Sequence, residues 1–367
     1  MKITRIDVFK FTYSIVGGSF SMSGGKRAES QDSTIVKMST DEGIVGWGEQ
    51  CAFSPNYIAA HGDGARAAVQ LLAPALLGQD PRQIEVVYQR MNDTLMGHPY
   101  AKSVLDMACW DILGLSAGLP ISELLGGTFQ PEFPLYCGVE VGSPAAMKES
   151  CARLFKEGYK RYQLKVGGDW REDVRRVQSS LESLADADVV IVDANTYWSQ
   201  HEATKVVDAL DSLPIYIEQP CRTIAECAAV RKRSHRPFIL DESLTDVDDI
   251  VAAREAEAMD AAMLKLSRFG GITKIRQARD LCRHWGLAMT MEDSGGGDIV
   301  SAAIAHLSAS TPKGALMNGF LINVNVNERI ADGAPVAMNG VGRVPTGPGL
   351  GITVNEEVLG PAVFSIT

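Results

Sequence analysis

The stretch from 189 to 266 decides the fold: VVIVDANTYW at 189–198, YIEQP at 216–220, FILDES at 238–243 and AAMLKL at 261–266. Each segment is a short apolar or β-branched run that closes on one ionisable residue, in turn Asp193, Glu218, Asp241 and Lys265. Between the runs lie charged stretches of helical character, so each run predicts a strand and each interval a helix. A βα unit repeated in this way calls for a parallel sheet with helices packed on it.

The rhythm extends in both directions. Arg161–Val166 and Leu135–Val141 precede the stretch, Leu287–Met291 and Ala315–Phe320 follow it, and Ile215 extends one of the quoted runs, giving eight predicted strands. Eight strands alternating with helices over about 200 residues fit a closed (β/α) barrel better than an open doubly wound sheet. In such a barrel the carboxyl ends of all strands lie on one face. Lys165, Asp193, Glu218, Asp241, Lys265 and the Glu292-Asp293 pair follow one another at intervals of 23–28 residues. One βα unit separates each from the next, so these side chains are expected to converge.

Outside the barrel the pattern changes. Apolar and polar residues alternate in Ile3–Phe11 and Ser33–Ser39, before a turn at Asp41-Glu42-Gly43, predicting a three-stranded antiparallel start that runs to about Gly48. Helical spacing in Ala65–Leu77, Ile84–Leu95 and Ala101–Leu115, broken by Pro81 and by Gly118-Leu119-Pro120, completes a small α+β part. The expected organisation is residues 1–125 as a capping domain, 126–325 as the barrel, and 326–367 as a turn-rich segment folding back on the cap.

Three acids at one barrel mouth require an explanation. Two carboxylates about 4 Å apart repel by roughly 4 kcal/mol at an effective dielectric near 20, and a bound divalent cation resolves that repulsion. Asp193, Glu218 and Asp241 offer only oxygen, which suits a hard ion, magnesium first and manganese second. Lys165 and Lys265 each close an apolar strand where an unpaired ammonium would be costly to bury. Near a divalent cation and one another, their pKa values are expected to fall, so that either lysine can act as a base.

Composition narrows the alternatives. A formal charge of −10 disfavours nucleic acid and anionic lipid, and the basic cluster at Arg231, Lys232, Arg233 and Arg236 is short. No apolar run is long enough to span a membrane, and MKITRIDVFKFTY at the start has charges within its apolar stretch, reading as a strand rather than a signal peptide. A cytoplasmic protein acting on a small molecule, without nucleic-acid or membrane partners, is expected. The seven scattered cysteines form no C-x-x-C pair and predict neither disulfides nor a zinc ribbon. The six histidines show no close pair of the kind a water-activating metallohydrolase recruits. The glycines between 340 and 351 lack the strand-then-helix context of a nucleotide fingerprint. A non-catalytic barrel that binds a small molecule is the rival from a different class.

Several motifs together resemble the enolase superfamily, and within it the muconate lactonising enzyme subgroup. They are GWGE at 46–49, AKSVLDMACWD at 101–111, LLGG at 124–127, DAN at 193–195, EQP at 218–220, DES at 241–243, and Lys265 followed by Gly270-Gly271. The resemblance covers essentially the whole chain. It implies an α/β fold, a modified (β/α)7β-type TIM barrel with an α+β capping domain, and commonly a homo-oligomer. It implies that Asp193, Glu218 and Asp241 hold the metal, which binds a substrate carboxylate and stabilises an enediolate. Lys165 and Lys265, on the second and sixth strands, then handle protons, a pairing of base and metal characteristic of the superfamily.

One departure concerns the second strand, where the family commonly has Lys-x-Lys and this chain has Gln163. By strand alternation Gln163 faces the same side as Lys165, where it could bind the substrate carboxylate. Specificity in the family lies in two capping loops, here Gly17–Lys26 and Gln50–Tyr57. Tyr57, Gln163, Asn195, Glu292 and Asp293 are the candidate substrate contacts, with Phe20 and Phe53 as further aromatic faces beside a substrate nitrogen. The likeness to relatives that act on proline, hydroxyproline and their betaines implies dehydration of cis-3-hydroxyproline or 2-epimerisation of a proline-like acid. Betaine epimerisation, another amino-acid racemisation and acid-sugar dehydration are the alternatives. The glycines at 295–297, in place of a fuller aromatic cage, favour a free amine over a betaine.

Overall fold

The computed structural model describes all 367 residues. Strands β1 (Ile3–Ser14), β2 (Ser30–Thr40) and β3 (Val45–Cys51) form an antiparallel meander. Against it pack the helices α1 (Gly62–Leu72) and α3 (Pro99–Ala117), and α2 (Ile84–Thr94) lies on α3. Helix α1 is shorter than its apolar pattern because Pro74 removes a backbone donor, and the chain tightens into a 3-10 turn over Ala73–Leu76. The glycines of GWGE explain how closely β3 lies on α3. A Cβ at Gly48 would fall 1.9 Å from the Val104 carbonyl oxygen, and one at Gly46 would fall 2.4 Å from that of Ala108.

Eight parallel strands follow, matching the eight predicted: β4 (Cys137–Val139), β5 (Arg161–Lys165), β6 (Val189–Asp193), β7 (Tyr216–Glu218), β8 (Phe238–Leu240), β9 (Ala261–Lys265), β10 (Ala288–Glu292) and β11 (Leu316–Gly319). They pair in sequence order, and a parallel bridge between Leu135 and Gly319 brings the last strand back to the first. Strand β4 is shorter than predicted because the Leu135 N–H leaves the ladder for the Gly340 carbonyl. The intervening helices start where the sequence supplies caps. Asp169 accepts from Arg171 and Glu172 N–H, while Ser199 with Glu202 and Thr223 with Glu226 form capping boxes.

Side-chain alternation then sorts each strand. Val189 and Ile191 on β6, Ile239 on β8, Ala261 and Met263 on β9 and Met317 on β11 form a closed apolar cluster inside the barrel. A larger cluster of 86 buried residues fills the space between strands and helices and continues into the capping part. The last strand of the chain, β12 (Phe364–Ile366), pairs antiparallel with β1, giving a four-stranded sheet in the order β12-β1-β2-β3 in place of the three strands predicted. All seven cysteines are buried and free. No helix is long and apolar enough to cross a membrane.

Candidate active site

The interior cluster determines what sits above it. Continuing the two-residue period from Ile191 reaches Asp193, from Met263 reaches Lys265, and from Ile239 reaches Asp241. On β5 the same period places Arg161, Gln163 and Lys165 inward, and on β10 it places Thr290 and Glu292 inward. Lys165 is the Cα partner of Asp193, Asp193 of Glu218, and Lys265 of Glu292. The ionisable strand ends therefore lie at one level, and all are buried.

Lys165 forms an ion pair with Asp193. Asp193 also accepts from the Asn195 backbone N–H at 2.8 Å and from its Nδ2 at 2.9 Å. Lys265 Nζ lies 2.9 Å from Asp241 Oδ2 and 3.0 Å from Glu292 Oε1, and donates to the Tyr57 hydroxyl at 2.7 Å. Arg268, one turn beyond Lys265, donates to Asp241 Oδ1 at 2.6 Å. Gln163 Nε2 donates to both oxygens of Glu218, at 3.0 and 2.9 Å.

Without a cation among them, these acids set the charge of both lysines. Burial alone would lower the pKa of Lys165, but Asp193 and Glu218 outweigh it and hold the ammonium. Burial is likewise outweighed at Lys265 by Asp241 and Glu292, which raise it well above the ordinary lysine value. The lowering expected beside a divalent cation concerns the loaded site, where these same carboxylates would face the ion. Glu218 is pushed far up, first by burial and then by the charges of Asp193 and Asp241. Asp241 goes the other way, because Arg268 and Lys265 overcome its burial.

The donor set fits a hard divalent cation. Asp193, Glu218 and Asp241 are buried oxygen donors at the ends of neighbouring strands. The side chains do not close round a common point, and no group of three His, Cys, Asp or Glu forms a ready ligand shell. The same oxygens are shared instead with Lys165, Gln163, Lys265 and Arg268.

A cavity of about 80 Å³ opens over these groups, lined by Lys165, Lys265, Gln163, Glu292 and Asp293 below. Phe20, Phe53 and Tyr57 from the two capping loops line it as well. Their rings meet edge to face, Phe20 with Phe53 at 6.4 Å and Phe53 with Tyr57 at 6.2 Å. Asp293 accepts from Ser267 N–H at 3.1 Å and Ser294 N–H at 2.7 Å, and burial raises its carboxyl to about 6. A larger cavity of about 510 Å³ lies on the other side of Tyr57 and contains neither lysine.

Asn195 lies outside that small cavity's lining, tied to Asp193, to Glu242 at 3.1 Å and to Ser23 of the first capping loop at 3.0 Å. Sequence reasoning did not single out Arg268, Ser23 or Tyr136, the last of which lines the cavity and donates to Glu292. Arg268 had one usable signal, its position three residues after a strand-end lysine. Ser23 and Tyr136 reach the site only through the packing of the first capping loop and the shortening of β4.

Comparison with known proteins agrees with this geometry. Residues 146–358 match the enolase C-terminal domain-like family, and residues 13–126 match the mandelate racemase/muconate lactonizing enzyme N-terminal domain. The chain is 43% identical over 363 residues to a cis-3-hydroxy-L-proline dehydratase of Roseibium aggregatum, covering 99% of each chain. It is 29% identical to an N-succinyl-L-Arg/Lys racemase of Bacillus cereus, covering 98% of this chain and 97% of the racemase. A crystal structure of an enolase superfamily member from Roseovarius nubinhibens complexed with magnesium superposes with a TM-score of 0.94 at 36% identity, covering 100% of this chain and 99% of that one.

Proposed function

The chain belongs to the mandelate racemase/muconate lactonizing enzyme family of the enolase superfamily, and from that premise we propose that it dehydrates cis-3-hydroxy-L-proline in a magnesium-dependent reaction. The observation that carries the reading is the pair Lys165 and Lys265, on the second and sixth of eight strands, lining one small cavity. The cavity is small, about 80 Å³. That suits a compact ring acid better than the extended side chain of a succinylated arginine.

In this reading Asp193, Glu218 and Asp241 hold the cation, magnesium before manganese. When bound, the ion supplies positive charge beside a substrate carboxylate and offsets the negative charge that builds there as the α-proton leaves. Gln163 orients Glu218, and Asn195 orients Asp193, through the hydrogen bonds described above. Lys165 and Lys265 address opposite faces of the substrate ring and exchange protons with it. Tyr57, Phe20 and Phe53 close the cavity to bulk water, and Glu292 and Asp293 give it negative potential for a ring ammonium. The division into a cap of residues 1–125, a barrel of 126–325 and a returning segment of 326–367 belongs to the same reading. Two opposed lysines also favour a second activity, 2-epimerisation of a proline-like acid.

The test follows α-deuterium incorporation and loss of water in deuterated buffer with magnesium, across L-proline, cis-3-hydroxy-L-proline and their betaines. Dehydration of the hydroxy acid is expected, and its loss in Lys265→Ala while the circular dichroism stays native. Absence of exchange across the whole panel, or full activity in Lys265→Ala, would sink the proposal.

A further inference from the structure

Removing an α-proton is half of a dehydration; the neighbouring hydroxyl must also receive a proton if it is to leave as water rather than hydroxide. Tyr136, just ahead of β4, lines the same cavity as both lysines. Its ring stacks on Phe320 at 4.8 Å and 22°, which fixes where the hydroxyl points. That hydroxyl donates to Glu292 Oε2, whose other oxygen lies 3.0 Å from Lys265 Nζ. A phenolic proton is thus held at the cavity wall on the Lys265 side. We propose that Tyr136 is the catalytic acid that protonates the departing 3-hydroxyl, with Glu292 as the positioning residue that orients it. The inference rests on the imino-acid reading above and extends it.

Stereochemistry supports the placement. In cis-3-hydroxy-L-proline the carboxylate and hydroxyl share one ring face, so the α-hydrogen projects from the other. A base and an acid must then approach from opposite sides. Tyr136 leads into the strand beside that of Lys165, but its hydroxyl reaches across to Glu292 and so to Lys265, which holds that pair in place and lies four strands from Lys165 across the barrel. In the functional reading the cation takes up Asp193 and Glu218, the acids that otherwise hold Lys165 as an ammonium, so its neutral amine would accept the α-proton while Tyr136 serves the opposite face. The Cα–H bond breaks with its proton going to the Lys165 amine, and the electron pair forms the Cα=Cβ bond. The Cβ–O bond breaks with its pair on oxygen, which takes the Tyr136 proton as that O–H rotates from Glu292 towards it, and leaves as water. Lys165 gains one proton and Tyr136 loses one, and exchange with solvent after product release restores both, so no oxidant or reductant is needed.

Tyr136→Phe separates the two halves. With magnesium in deuterated buffer, the variant is expected to exchange the α-proton of L-proline at a rate close to wild type, while its dehydration of cis-3-hydroxy-L-proline falls about 100-fold or more. Elimination from cis-3-fluoro-L-proline, whose fluoride leaves without being protonated, is expected to survive the substitution. Wild-type dehydration in Tyr136→Phe would overturn the assignment. So would equal loss of exchange, dehydration and fluoride elimination, which would mark Tyr136 as merely structural, including the case of a variant that does not fold. A wild-type protein inert towards every imino acid would overturn the functional reading itself, and the role of Tyr136 with it.

Discussion

Glu218 has a buried acid on either side and no cationic side chain of its own; its two oxygens receive only the Gln163 amide. Asp193 and Asp241 each have a lysine, so the middle acid carries the strain of the site. Replacing it with the neutral isostere relieves that repulsion while removing a ligand. Glu218→Gln is therefore expected to weaken magnesium binding at least tenfold, or about 1.4 kcal/mol, measured by titration calorimetry. Its metal-free melting temperature is expected to equal or exceed that of the wild type. A fall in that temperature would show that Glu218 holds the fold rather than the ion. The acids and lysines were legible in the sequence because each ends an apolar run, but their partners were not. Gln163, read as a substrate contact, does line the cavity, and its Nε2 is shared with Glu218, a pairing across two strands that no local pattern encodes.

At the scale of elements, strand periods were easy to read and the junctions between parts were not. Glu49 stood out only as the end of GWGE, but its buried carboxylate accepts from Tyr13 at 2.7 Å, Ser33 at 2.8 Å, Gly297 N–H at 3.0 Å and Val300 N–H at 3.2 Å. It caps the helix α4 (Asp298–Ala309) and holds the loop that follows Glu292 and Asp293. Glu49→Ala leaves those donors buried and unpaired, and is expected to cost roughly 3 kcal/mol in urea unfolding together with most of the activity. His306 on α4 is a second junction, accepting at Nδ1 from Ser122 N–H and facing the Leu350 carbonyl with Nε2. That geometry requires the neutral ring, and burial lowers its pKa to about 4. An unfolded chain binds a proton near pH 6.5 that the folded chain refuses until about 4, so stability is complete above pH 6.5 and drains away on acidification. The loss is about 1.4 kcal/mol per pH unit across that window. Asp111, raised by burial to about 7, works with the opposite sign, so the measurement is the difference between wild type and His306→Gln in urea midpoints from pH 4.5 to 7. A difference that does not change with pH would refute the assignment.

For the whole molecule, the site is an agreement among distant parts. The proposed ligands end three separate barrel strands, the aromatic roof comes from the capping loops, and the last strand of the chain returns to pair with the first. The barrel was legible because its repeat recurs eight times, whereas the fourth strand of the capping sheet was not. Phe364–Ile366 is three residues long, and its pairing with Ile6–Val8 spans nearly the full chain. A cation that binds Asp193, Glu218 and Asp241 together binds only the folded barrel, since the unfolded chain disperses those carboxylates. Its binding energy is then added to the stability of the fold, by RT ln(1 + [L]/Kd). At a magnesium concentration one hundred times its Kd the gain is about 2.7 kcal/mol, and a chelator is expected to remove it. Differential scanning calorimetry across a magnesium series checks this: the melting temperature of the wild type should climb with the logarithm of concentration, and that of Glu218→Gln should begin to climb only at a concentration at least tenfold higher. Identical curves for the two proteins would mean that the ion stabilises the molecule from somewhere other than these three strand ends.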